Sequence, residues 1–377
     1  MKIIVATDSY KGTINAPDAT AIIADALAEK LPLAQILRMP IADGGEGSAE
    51  CLVSACGGGY AVTTVKNCFF EDAQVRIGLV GEGDTAIVEL AEAAGLRYAE
   101  GRANPMFTTT YGVGQMIRTA AGLGVRRILL CLGGSATNDL GLGAAAALGV
   151  RFFDANGEEM LPLGGTLDEV AAVDLSLVPD NIRALEFVCL CDVTGTLTGT
   201  DGAAQMFAPQ KGASPEMVAV LEAGAAHMQE VFLRDLGVDV ISLAGGAAAG
   251  GFAAGFAALF GAEIRSGIGE VLRVTGFSGE IESADAVITG EGRFDRQSVC
   301  GKAIGGVIEA ANRFGVPVFV LAGSVGDAEG SGAAAVFSTV RDFCSFADIR
   351  DEAKTYLRAA ADSLAAAIAL GAGSGGR

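Results

Sequence analysis

Five times in this sequence a short apolar run gives way to glycines set among carboxylates and hydroxyls: DSYKG at 8–12, ADGGEG at 42–47, GGSATND at 133–139, DVTGTLTG at 192–199 and GEGRFD at 290–295. No other feature restricts the fold as much. A strand, such a loop and an amphipathic helix form the repeating unit of an open α/β sheet, and loops at the carboxyl ends of its strands line the ligand crevice. Glycine there lets backbone N–H groups approach phosphate oxygens. One loop taken alone reads as a tight turn, because Gly, Asp, Asn and Ser are also turn residues. All five together, holding several hard-oxygen ligands and some of the chain's few cations, point to phosphate handling.

The spacing of apolar residues supplies the elements. Residues 2–7 read as a strand, and the loop DSYKGTINAP leads into a helical pattern through Ile22, Ile23, Ala26, Leu27 and Leu31. Asn15 is the expected cap, with Pro17 and Asp18 in the first turn. A second strand at 36–41 enters ADGGEG, and 48–55 reads as the next helix. Near the C-terminus 286–289 enters GEGRFD, 318–321 enters AGSVG, and 335–339 precedes a final helix, so these five strands are expected in one sheet. Residues 57–280 differ, with short strands at 61–65, 75–80 and 86–89, buried strands at 128–132 and 187–191, and helices around 109–121 and 215–233. The expectation is a discontinuous first domain, 1–56 with 281–377, interrupted by a mixed α/β domain at 57–280. A chain of 377 residues also exceeds the usual size of one hydrophobic core.

The 45 acidic residues outnumber 26 basic ones, and a net charge of −19 repels nucleic acid and anionic lipid. It would equally repel ATP or an anionic metabolite unless local cations, backbone N–H groups or Mg²⁺ receive them. Residues 1–9 read as a strand entering a loop and not as a secretory leader, so a cytoplasmic chain with eight reduced cysteines is expected. Cysteine spacings and a single histidine, His227, do not suit a zinc cage. The uncharged stretch 240–262 has small-xxx-small spacing, but its Gly and Ala content favours a buried loop and helix over a membrane span. The tail GAGSGGR holds the only strict GxGxxG and is expected to fray.

Competing chemistries fail on the letters. There is no G-x-x-x-x-G-K-[ST], and a protein-kinase H-R-D cannot exist when the only histidine is followed by Met228. GGSAT is not G-x-S-x-G, and His227 in a helical stretch reads as packing or surface.

Together these segments resemble the bacterial glycerate kinase family, whose members begin with a strand followed by DSFKG and ADGGEG. The likeness continues through TTTYGVGQ at 108–115, GGSATNDLG at 133–141, the C-D-V strand end at 191–193, APQKGA at 208–213, and TGEGRFDRQS with GKA at 289–303. It covers essentially the whole chain. The resemblance implies transfer of the γ-phosphoryl group of ATP, with Mg²⁺, to D-glycerate, giving 2-phosphoglycerate. It also implies a flavodoxin-like, Rossmann-type parallel-sheet domain interrupted by a second mixed α/β domain, with the active site in the cleft between them. Tyr10 stands where Phe is usual, Ser48 where Thr is usual, and DVTGTLTG replaces a D-V-x-N-P-L-x-G loop.

Phosphoryl transfer asks for positioning, charge neutralisation and an oriented hydroxyl. Lys11, beside a helix N-terminus, is expected to stabilise the transferring phosphoryl group or the glycerate carboxylate. Asp8, Asp43, Asp192 and Asp295 are the candidate bases and metal ligands; Asp192, placed at a buried strand end, is the favoured base, and Asp43 and Asp192 the Mg²⁺ ligands. Arg293, with Asp43, Gly44 and Gly45, is expected at the substrate. Gly133, Gly134, Ser135, Thr137 and Asn138 are expected to cradle the nucleotide phosphates. Glu46 and Glu291 read as helix caps. Alternatives are a kinase of another small hydroxy acid or a non-catalytic sugar-acid or nucleotide sensor; the oligomeric state is open, a homo-oligomer included.

Overall fold

The structure, a computed structural model, describes residues 1–299, 302–340 and 346–374. The chain divides into two compact units, one of Met1–Asp43, Glu50–Gly57 and Gly267–Arg377, the other of Gly44–Ala49 and Gly58–Ser266. The chain therefore changes unit inside ADGGEG itself, between Asp43 and Gly44. Residues 267–280, read from sequence as part of the insertion, belong to the first unit. Their helix Gly267–Val274 packs on Ala303–Asn312, where Ile268 lies so close to Gly306 that any Cβ there would clash.

The first unit is built on a five-stranded parallel sheet in the order Gln35–Arg38, Lys2–Val5, Ala286–Phe294, Val318–Val325, Ala335–Ser338. The chain starts at Lys2–Val5, steps to one side, then returns on the other. The strand order thus reverses between Lys2–Val5 and Ala286–Phe294, which is the flavodoxin-like arrangement. The helix Ala16–Lys30 opens as its sequence requires: Asn15 accepts from the Asp18 N–H at 2.8 Å, and Ala16 and Pro17 occupy the first positions. This helix packs with Phe346–Ser374, and Ile3, Val5, Ile23, Leu27, Ile288, Leu357 and Leu364 close the core beneath them. Two loops expected here are strand instead. GEGRF and AGSV remain paired out to Phe294 opposite Val325, because Gly292 and Gly323 allow the two backbones to run side by side. The last helix runs to Ser374, so the start of the expected frayed tail is helical, and residues 375–377 lie outside the described residues.

The second unit holds a six-stranded sheet with strands in chain order: Gly59–Lys66, Asp72–Val80, Thr85–Glu89, Arg127–Cys131, Glu186–Leu190 and Glu263–Arg265. The first two hairpin strands are antiparallel and the last four parallel. A small antiparallel sheet of Arg151–Phe153, Glu159–Met160 and Ala172–Asp174 flanks it. Helices Tyr111–Gly122, Pro215–Leu236 and Ala248–Phe260 bury their apolar faces in one core. From Gly245 to Leu259 the uncharged stretch is largely buried, whereas Ile241, Ser242 and Ala244 before it are exposed: Phe252 and Phe256 stack at 4.2 Å between ring centroids, and among the described residues no helix is long and apolar enough to cross a membrane. The six cysteines among the described residues are thiols, not disulfides.

Candidate active site

In the first unit, the sequence places its polar loops where the strand order reverses. The backbone after Lys2–Val5 stays paired with the neighbouring strand, Ala6 donating to Ile288 and Asp8 to Gly290 at 2.9 Å, so Asp8 is held beside Glu291. The close approach leaves no room for a side chain at Gly290, whose Cβ would fall 2.4 Å from the Tyr10 hydroxyl. That hydroxyl donates to the Leu321 carbonyl at 2.6 Å, so the tyrosine found where phenylalanine is usual ties the DSYKG loop to a third strand; burial pushes its pKa up.

A cavity of about 740 Å³ opens at this point, lined among others by Asp8, Lys11, Asp43, Glu291, Arg293, Asp295 and Lys302. It is the size of a small-molecule site. Burial raises Asp8 to about 6 against the Ser9 N–H, which donates to its carboxylate at 2.6 Å; the Asp43 charge adds to the rise and Lys11 opposes it. Glu291 is pushed up to about 7, chiefly by burial, opposed by a hydrogen bond from Ser298, with the Asp8 charge raising it and Lys302 lowering it. Its Oε1 is buried and has no partner among the described residues. Arg293 is mostly exposed and its Nε donates to Asp295 at 3.1 Å. Two carboxyls poised near neutrality among three cations form a natural proton acceptor for a bound hydroxyl.

The second unit gathers the other loops. Gly133 faces Gly45 so closely that a Cβ would lie 2.5 Å from the Gly45 Cα, which brings the GGEG and GGSAT loops into contact. Glu89, buried, accepts from the N–H groups of Ala49 at 2.7 Å and of Gly47, bracing the first loop. The second loop is held by its carbonyls: Gly134 accepts from Leu96, Ala136 from Thr108, and Thr137 from Lys211. Asp139, fully buried, collects the Thr110 N–H and hydroxyl and the N–H groups of Gly141 and Gly143. Among the described residues no acceptor pairs with the N–H groups of Gly133, Gly134, Ser135, Thr137 or Asn138, and the buried Thr137 hydroxyl and Asn138 amide are also without partners. Unused donors on a buried polar loop are what an incoming anion requires.

Of the residues singled out from sequence, Asp8, Lys11, Asp43, Arg293 and Asp295 share the first unit's cavity, while Gly44, Gly45, Gly133, Gly134, Ser135, Thr137, Asn138 and Asp192 lie in the second unit. Asp192, favoured as the base for its place at a buried strand end, is not in such a place. Its strand ends at Leu190, the chain then leaves the sheet, and the Asp192 side chain is exposed, accepting from the Ser266 hydroxyl at 2.8 Å. Glu291 does not cap a helix, since it lies within a strand; Glu46 is exposed in the loop before Ser48–Cys56. His227 packs, its Nε2 2.7 Å from the Val170 carbonyl. Sequence reasoning passed over Glu291 as an acid, Lys302, Ser298, and the buried pair Lys211 and Asp139. A lysine fixed between Pro209 and Gly212, in APQKGA, was the visible signal for one of them.

A reversing parallel sheet with an acid-and-lysine cavity, and a second unit bearing donor-rich glycine loops, define an α/β enzyme that handles phosphate. The sequence matches the glycerate kinase family over residues 3–369, and the chain belongs to that family. It is 37% identical to the glycerate kinase of Bacillus subtilis (strain 168), with 98% of each chain covered, and 37% identical to the glycerate 2-kinase of Escherichia coli (strain K12), covering 98% of this chain and 99% of that one. The crystal structure of a candidate glycerate kinase 2 from Salmonella typhimurium LT2 superposes with a TM-score of 0.90 at 39% identity, over 98% of this chain and 99% of the other. As a kinase, the protein is a phosphotransferase with an alcohol group as acceptor.

Proposed function

We propose that the protein transfers the γ-phosphoryl group of ATP to D-glycerate, giving 2-phosphoglycerate and ADP. The observation that carries this reading is the half-buried carboxyl pair Asp8 and Glu291 set among Lys11, Arg293 and Lys302 in one cavity. Asp8 takes the proton of the substrate hydroxyl as its oxygen bonds to the γ-phosphorus. The β–γ bridging P–O bond breaks and its electron pair leaves with ADP. Lys11 neutralises the moving phosphoryl group; Arg293, oriented by Asp295, receives the substrate carboxylate in the cavity that Asp43 also lines. Gly133, Gly134, Ser135, Thr137 and Asn138 cradle the nucleotide phosphates, a role supported by their unpaired donors.

Asp43, in the first unit, and Asp192, in the second, are each proposed as a carboxylate for Mg²⁺. Mg²⁺ held by one or two carboxylates would complete its shell with phosphate and water; among the described residues no group of three or more His, Cys, Asp or Glu side chains converges. When bound, Mg²⁺ offsets phosphate charge.

The test is phosphorus NMR of purified protein with ATP, Mg²⁺ and D-glycerate, beside L-glycerate and hydroxypyruvate. We expect a 2-phosphoglycerate signal and stoichiometric ADP with D-glycerate. A faster reaction with another acceptor would replace the substrate assignment, and binding without ADP formation would make the protein a sensor.

A further inference from the structure

Lys211 is among the largest fully buried side chains of the molecule, 2% exposed, in a chain whose other cations mostly face water. Its base is fixed. The turn Pro209–Lys211 is closed by Gly212 in a left-handed conformation, φ 92°, where a Cβ would lie 2.4 Å from the Ala103 carbonyl. Its Nζ lies 2.8 Å from the Ser135 hydroxyl and donates to the Thr137 carbonyl at 2.6 Å. The charged group acting on it is Asp139, whose carboxylate is itself occupied by Thr110, Gly141 and Gly143. Burying an ammonium is costly unless it is well bonded. Two bonds to one loop are what this lysine gains.

The effect on that loop is directional. The carbonyls of Gly134, Ala136 and Thr137 are each drawn to a protein donor, while the N–H groups of residues 133–135, 137 and 138 meet no acceptor among the described residues. The protein thus holds the loop's carbonyls and leaves its amides unclaimed, those of Gly133 and Gly134 at the accessible end of the loop and those of Ser135, Thr137 and Asn138 enclosed behind it; Lys211 fixes the last of the three carbonyls.

We infer that Lys211 is a positioning residue that holds the 133–138 backbone in its donor-presenting shape, without itself needing to touch a ligand. This rests on the proposed reading of that loop as the nucleotide cradle, with phosphate as the group received. The burial that lowers Lys211 to about 7 adds a signature: near neutrality it loses the charge that supplements the loop's donors, and Asp139 opposes that loss.

The experiment measures binding of the ATP analogue AMP-PNP with Mg²⁺ by calorimetry, together with separate KM values for ATP and D-glycerate at pH 6 and pH 8. The variants are Lys211→Met, Ser135→Ala and Gly134→Asp, each checked for folding by circular dichroism and melting. Gly134 is exposed at φ 72°, a conformation that aspartate tolerates, so Gly134→Asp sets a negative charge on the loop directly. We expect Lys211→Met to weaken AMP-PNP binding roughly tenfold or more, the scale of a lost charge-assisted hydrogen bond, with little change in KM for D-glycerate. Wild-type KM for ATP should rise from pH 6 to pH 8 more steeply than that of Lys211→Met. Ser135→Ala should shift nucleotide affinity in the same direction by less, and it carries the test should Lys211→Met not fold.

If Gly134→Asp weakens AMP-PNP but folded Lys211→Met does not, the positioning role is overturned and the cradle stands. If Gly134→Asp weakens D-glycerate instead and Lys211→Met follows it, the nucleotide reading falls and the positioning role holds for the other ligand. Unchanged affinity for both ligands in folded Lys211→Met and Ser135→Ala sinks the inference.

Discussion

Asp8 binds its proton more tightly in the fold than in an unfolded chain, with a pKa raised to about 6, chiefly by burial. The sign of the linkage follows. A raised carboxyl contributes stability that is fully present below the unfolded value and lost as pH rises through the folded one, so at neutral pH the ionised Asp8 burdens the fold. Asp8→Asn should therefore raise Tm at pH 7.5 by about 2–4 °C, and not at pH 4. The same substitution should lower kcat by roughly 10²–10⁴, the usual worth of a positioned base. Wild-type kcat should decline as pH falls through about 6–7, where Asp8 and Glu291 take up protons. A variant with unchanged kcat would remove Asp8 from the chemistry, and one with an unchanged melting profile would remove the burial argument.

At the scale of elements, the helix Ala248–Phe260 shows what its composition is for. A Cβ on Gly255 would sit 1.9 Å from the Leu140 carbonyl, just past the cradle loop, so this helix owes its small residues to backbone packing. Gly255→Ala should destabilise by about 3 kcal/mol or more, at the upper end of overpacking, read as a shifted denaturant midpoint or loss of soluble protein. This use was legible in the sequence as an uncharged Gly and Ala run, as was Asn15 at a helix start, because both depend on neighbouring residues. The extension of Ala286–Phe294 was not legible. GEGRF carries the letters of a turn, and only a facing backbone at Val318–Val325, absent from local sequence, makes it a strand. Likewise Asp192 looked buried because its strand is, and the exit of the chain after Leu190 is a tertiary event. Lys211 escaped because a lysine's default place is the surface.

Across the whole molecule, an excess of acidic side chains surrounds loops that must receive anions. Long-range repulsion slows their approach and is screened over about 10 Å at 0.1 M salt. We expect kcat/KM for D-glycerate to rise as ionic strength increases from about 0.01 to 0.1 M, the reverse of an enzyme with a basic face. A monotonic fall over that range would mean that the local cations dominate the approach.

The reversing sheet also sets an order of events during synthesis. Lys2–Val5 has one neighbour, Gln35–Arg38, within reach at once, but its other, Ala286–Phe294, is still untranslated. At ordinary elongation rates that partner emerges on the order of ten to fifty seconds later. Throughout the wait, Ile3, Ile4 and Val5 present a bare strand edge, and the interval in which the nascent chain most needs a chaperone is written into its topology.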